Sequence, residues 1–103
     1  MIHKEEIDKI IEEIKKEINT KAIYVFGSYA KGEQTADSDL DVCVITDERM
    51  RKKDLIDRIR KRLLFKTDIP LDIIVFHSNE FFAHAQNPYT FEHEIKEKGV
   101  FVG

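Results

Sequence analysis

At 103 residues the chain can bury one core and not two, so a single domain over 1–103 is expected, and any further domain must come from another chain. A hydrophobic content of 42% beside 36% charged residues excludes a disordered chain, and a net charge of -3 argues against one built to coat nucleic acid. No apolar run approaches the roughly 20 residues that span a bilayer, and the opening MIHKEEIDKI lacks a signal-peptide stretch, so a cytoplasmic protein is expected.

Ile7, Ile10, Ile11, Ile14 and Ile18 recur at helical spacing with Glu and Lys between them, which predicts an amphipathic helix over about residues 3–18. The β-branched and aromatic run AIYVF, ended by Gly27, predicts a buried strand. SYAKG reads as a short helical turn closed by a left-handed Gly32, and EQTADS as a polar loop. In DLDVCVIT, alternation sends Leu40, Val42 and Val44 to one face and Asp39, Asp41, Cys43 and Ile45 to the other.

Helical spacing returns between Asp47 and about Lys66, with Leu55, Ile56, Ile59, Leu63 and Leu64 on one stripe. IPLDIIVFH predicts a third strand with Pro70 at its opening. Ser78 or Asn79 is expected to cap a short helix at 80–85, and Asn87-Pro88 to start a last helix ending at Gly99. The expected fold is α/β (α+β): a three-stranded mixed sheet packed with helices, in the order α-β-α-β-α-β-α. The short link makes the first two strands antiparallel, and the intervening helix makes the second and third parallel.

Between Arg49 and Lys66 nine basic residues meet two acidic ones, a local charge of +7. A solvated face, an acidic partner protein and nucleic acid are the three readings, with nucleic acid disfavoured by the negative total charge and the lack of an aromatic platform. The lone Cys43 excludes an internal disulfide and a cysteine metal site, leaving a buried, reduced thiol. His77, His84 and His93 read as structural or solvent-facing. Phe81, Phe82, Tyr89, Phe91 and Ile95 read as core or as partner-facing apolar surface rather than a cofactor box, and could serve an oligomer.

Asp39 and Asp41 leave the same strand face with Cα atoms roughly 6.5 to 7 Å apart, and such a like-charged pair calls for a counter-charge, for which a divalent metal such as Mg²⁺ is suited. Asp72 interrupts the third strand and can approach the same face. Gly27-Ser28 ends the first strand where unpaired backbone N–H groups and a hydroxyl can cradle phosphate. Taken singly, the aspartates also read as turn caps or edge-strand charges.

Phe26-Gly27-Ser28, a ten-residue spacer and Asp39-Leu40-Asp41-Val42, with Asp72 on a later strand, resemble the signature of the DNA polymerase β-type nucleotidyltransferases. Within that superfamily the helix-first order is similar to the minimal nucleotidyltransferase group, the small partner of HEPN-domain proteins in toxin–antitoxin modules. The resemblance implies two Mg²⁺ ions between Asp39, Asp41 and Asp72 and the triphosphate of ATP, with all three aspartates catalytic. It places Gly27, Ser28 and Lys31 on the nucleotide, although many members carry arginines where this chain has Tyr29 and Lys31. It further implies transfer of AMP to a tyrosine hydroxyl of a HEPN ribonuclease, silencing that toxin. The ribonuclease motif Arg-x4-His is absent here, which makes this chain the neutralising partner. A small-molecule or RNA-end acceptor, and a non-catalytic binding module of the same fold, remain as alternatives.

Overall fold

The computed structural model describes residues 3–33, 35 and 38–103. Isoleucines at helical spacing produce α1 (Lys4–Glu17), with Ile7, Ile10, Ile11 and Ile14 buried along one side. Strand β1 (Ala22–Phe26) leads through a turn to β2 (Leu40–Thr46), and α2 (Lys52–Leu63) crosses over to β3 (Leu71–His77). Then come α3 (Ser78–Ala85), α4 (Phe91–Lys98) and a two-residue β4 (Val100–Phe101). The sheet order is β3-β2-β1-β4, with β2 and β3 parallel and the other pairs antiparallel.

The mixed sheet is thus as expected, with one strand more. Val100 and Phe101 pair with Val25 and Tyr24, and the Phe101 ring meets Tyr24 edge-on at 5.6 Å. A strand this short has no periodicity to read.

Alternation along β2 splits the core in two. Leu40, Val42 and Val44 face α1 and α2, while Cys43 and Ile45 face α3 and α4 around the fully buried Phe81. Burying a phenylalanine in this way contributes about 1.5–3 kcal/mol. Asp41 follows the same alternation as Cys43, so the carboxylates lie on the α3/α4 face, where β1 ends and β2 and β3 begin.

Helix α2 begins at Lys52, five residues later than expected. Asp47 accepts a hydrogen bond from Ser78 and an ion pair from Lys21 (3.2 Å), and Glu48 accepts from the Asn19 backbone N–H (2.9 Å), so both carboxylates tie the segment to distant elements. Ser78 is therefore no cap for α3 and instead begins it. The last helix starts at Phe91 and not at Pro88: Asn87 Oδ1 accepts from the Tyr89 N–H (3.0 Å) and the Thr90 hydroxyl caps His93 N–H (3.1 Å).

Four residues of the basic segment, Lys52, Arg58, Arg62 and Lys66, find acidic partners within the chain. Arg58 pairs with Glu17 (3.1 Å) and Glu48 (3.7 Å), Arg62 with Glu17 (3.4 Å) and Glu13 (3.6 Å), and Lys66 with Glu13. These contacts lace α2 to α1, and Lys52 reaches Glu80 on α3 (3.1 Å). Among the described residues no helix is long and apolar enough to cross a membrane.

Candidate active site

The parallel register sets Asp41 of β2 directly beside Asp72 of β3. Asp41 is also the antiparallel partner of Phe26, so the residue after Phe26, Gly27, comes against the same carboxylate. Gly27 has φ +70, and a Cβ built there would overlap Asp41 Oδ2. The glycine is needed twice: for a left-handed backbone that bulky side chains rarely adopt, and for the space that Asp41 occupies.

Asp41 is half-buried and Asp39 and Asp72 are exposed. Burial, followed by the charges of Asp72 and Asp39 and the direct contact with Asp72, pushes the Asp41 carboxyl above the ordinary aspartate range. None of the ion pairs among the described residues involves these three aspartates. The fold therefore gathers negative charge at one rim, which no side-chain ion pair among the described residues offsets.

Among the described residues no group of three or more ligating side chains closes around a point that could hold a metal ion. The donors form an open set, Asp41 with Asp72 and Asp39 alongside. Hard oxygen donors of this kind fit Mg²⁺, which takes one or two carboxylates and completes its shell with water and substrate phosphate. Asp39, Asp41 and Asp72 are the residues that could hold it.

Residues 27–32 form a turn and not the expected helical segment: Lys31 N–H donates to Gly27 O (3.1 Å), Gly32 N–H to Tyr29 O (3.2 Å) and Glu33 N–H to Ser28 O (2.9 Å). Gly32 has φ +71, the left-handed conformation expected of it. Ser28 is half-buried within this turn, Tyr29 packs on the α1/α2 core, and Lys31 is exposed. Of the expected loop 33–38, Gln34, Ala36 and Asp37 lie outside the described residues.

Sequence reasoning passed over the neighbourhood of Gly27 on its far side. Phe91, 65 residues beyond Phe26, meets that ring edge-on at 5.5 Å and 81°, and together with Lys31 and Lys98 they border a cavity. No local pattern joins Phe91 and Lys98 to Phe26 and Lys31, because α4 reaches β1 only through the tertiary fold.

The histidines are engaged structurally: His77 Nε2 with Met50 O (3.0 Å), His84 Nδ1 with Glu92 (2.7 Å) and His93 Nδ1 with Ala85 O (2.8 Å). Cys43 is fully buried and its thiol is pushed up to about 12, chiefly by burial, which leaves it inert.

Comparison with known proteins agrees with this geometry. Two proteins of Methanocaldococcus jannaschii, each named "Putative protein adenylyltransferase", are similar: one is 35% identical over 69% of this chain and 80% of its own length, another 31% identical over 96% and 93%. A solved structure titled a "putative nucleotidyltransferase from Sulfolobus solfataricus" shares the fold, with a TM-score of 0.60 and 23% identity over 77% of this chain and 70% of that one. Residues 7–100 match the nucleotidyltransferase domain family. The chain thus belongs to the nucleotidyltransferase domain family, transferases that act on a nucleotide substrate.

Proposed function

We propose that this protein is a Mg²⁺-dependent protein adenylyltransferase that moves AMP from ATP to a hydroxyl of a partner protein, with a tyrosine of a HEPN ribonuclease toxin as the acceptor and antitoxin as its role. The observation that carries the reading is the Asp41–Asp72 register pair, with Asp39 beside it, set against the Gly27-Ser28 turn. The names of the M. jannaschii relatives support a protein acceptor. The net charge of -3 disfavours an RNA acceptor.

In this reaction the acceptor oxygen attacks the α-phosphorus of ATP, the bond to the β-phosphate breaks, and pyrophosphate leaves in line. Bound Mg²⁺ would supply charge neutralisation at the attacking and leaving oxygens. Asp39 and Asp41 would hold the ions with help from Asp72, which takes the proton from the acceptor hydroxyl. The backbone N–H groups at Gly27 and Ser28, with the Ser28 hydroxyl, bind the triphosphate, and Lys31 adds a point charge.

The test is incubation of the purified protein with α-labelled ATP, Mg²⁺ and a lysate of the source cell, beside an Asp39→Asn/Asp41→Asn variant. A labelled protein band that disappears with the variant supports the reading, and its mass identifies the acceptor. Label that persists in the variant, or none in protein, RNA or small-molecule fractions with any nucleoside triphosphate, sinks it.

A further inference from the structure

Gly27 has a second side. There the end of β1, the following turn and α4 enclose a cavity of about 200 Å³. Phe26, Ala30, Phe91 and Ile95 form apolar walls, and the exposed Lys31, Glu94 and Lys98 also line it, with Glu94 4.0 Å from Lys98. Phe91 remains 45% exposed although its edge packs on Phe26, so an aromatic surface is left uncovered beside an apolar hollow.

The walls constrain what would fill it. Apolar lining disfavours a charged occupant, while two lysines against the single carboxylate of Glu94 leave a net positive charge that favours one whose other end is anionic. One residue, Gly27, separates the hollow from the Asp41 carboxylate. A flat uncharged ring joined through a short linker to phosphates matches this arrangement, and a nucleotide has that shape, with its pentose as the linker.

We propose that the cavity is the nucleobase subsite, in which Phe91 supplies the stacking surface and Lys31 and Lys98 flank the phosphates. This inference rests on the nucleotidyl-transfer reading and names the residues that grip the base. It assigns Phe91 a ligand contact, where the sequence pointed to core or partner-facing surface.

The test measures binding, so it does not depend on turnover. Titration calorimetry with Mg²⁺ compares α,β-methylene-ATP with inorganic tripolyphosphate, which has the phosphates and no base. Phe91→Ala is expected to weaken the analogue about tenfold, the usual effect of losing one base–aromatic stack, and to leave tripolyphosphate unchanged. Equal weakening of both ligands, or of neither, overturns the proposal.

Because the chain contains no tryptophan, F91W places a single indole at the cavity. Its emission is expected to respond to the analogue and not to tripolyphosphate, which reads the stack even where the alanine variant folds poorly. Quenching by N-acetyltyrosinamide and not by the analogue would assign the hollow to the acceptor side chain and overturn the proposal. Wild-type protein that transfers AMP while F91W emission ignores the analogue refutes the subsite alone. Wild-type protein that binds neither ligand and transfers no AMP refutes nucleotidyl transfer as well.

Discussion

Gly27 and Asp41 share one space: the carboxylate oxygen Oδ2 lies where a Cβ on residue 27 would be. Gly27→Ala therefore forces Asp41 out of line with Asp72 and strains a backbone held at φ +70. The backbone term alone costs about 1–2 kcal/mol. The thermal midpoint is expected to fall by roughly 4–8 °C for each kcal/mol lost, together with AMP transfer. Calorimetry and the labelling assay check both, and a variant that keeps wild-type activity would show that Asp41 tolerates displacement.

Asp41→Asn is expected to do the opposite to stability while removing activity. It relieves the repulsion among Asp39, Asp41 and Asp72 that the metal-free protein carries. After solvent screening such a contact is worth at most about 1 kcal/mol, so the midpoint should rise by up to roughly 4–8 °C. Melting in EDTA and in Mg²⁺ checks this: added Mg²⁺ should raise the wild-type midpoint more than that of the variant.

Glu13 gives the pH dependence of the α1–α2 contact. Its carboxyl is held below the usual range of 4.5, chiefly by the hydrogen bond from Lys66, with the charges of Lys66, Arg62 and Lys16 adding to it against burial. A depressed carboxylate contributes stability that is present above its unfolded value and lost as pH falls through its folded one. Glu13→Gln should thus lower the midpoint at neutral pH, match wild type in strong acid, and differ less at high salt. Melts across pH and ionic strength check the sign.

Cys43 should resist thiol reagents in the folded state and react only on unfolding, because its thiol is buried and titrates at about 12. Cys43→Ser should cost about 1–3 kcal/mol by burying a hydroxyl without a partner. Denaturant titration and thiol labelling at pH 8 measure the two effects.

Phe65, between α2 and β3, has φ 67 and is 96% exposed, so it carries left-handed strain with almost no burial to offset it. Phe65→Gly should stabilise by about 1 kcal/mol net of glycine's entropy, raising the midpoint by roughly 4–8 °C.

Periodic features were legible from the sequence: the isoleucine stripe of α1, the alternation of β2 that puts Asp41 and Cys43 on one face, and the antiparallel and parallel strand pairs. Asp72 beside Asp41 was legible too, because a helical crossover sets two strands parallel. What was not legible depends on contacts across the chain. The start of α2 moves because Ser78, Lys21 and the Asn19 backbone engage Asp47 and Glu48. Arg58, Arg62 and Lys66 of the +7 segment meet Glu13 and Glu17 only once α1 has packed on α2. Gly27's second role follows from the position of a side chain 14 residues away, which no local pattern encodes.

Register also governs how the fold is reached. Asp41 and Asp72 meet only after the crossover closes a separation of 31 residues, and Tyr24 pairs with Phe101 across 77. Such distant pairings put the entropy of loop closure before the reward of contact, which slows folding relative to a helical bundle of this size. A nascent chain that has formed α1, β1 and β2 already holds Gly27 against Asp41, yet lacks the second carboxylate until α2 has docked and β3 has joined. The Asp41–Asp72 pair is therefore completed late in folding, and a half-made molecule lacks it.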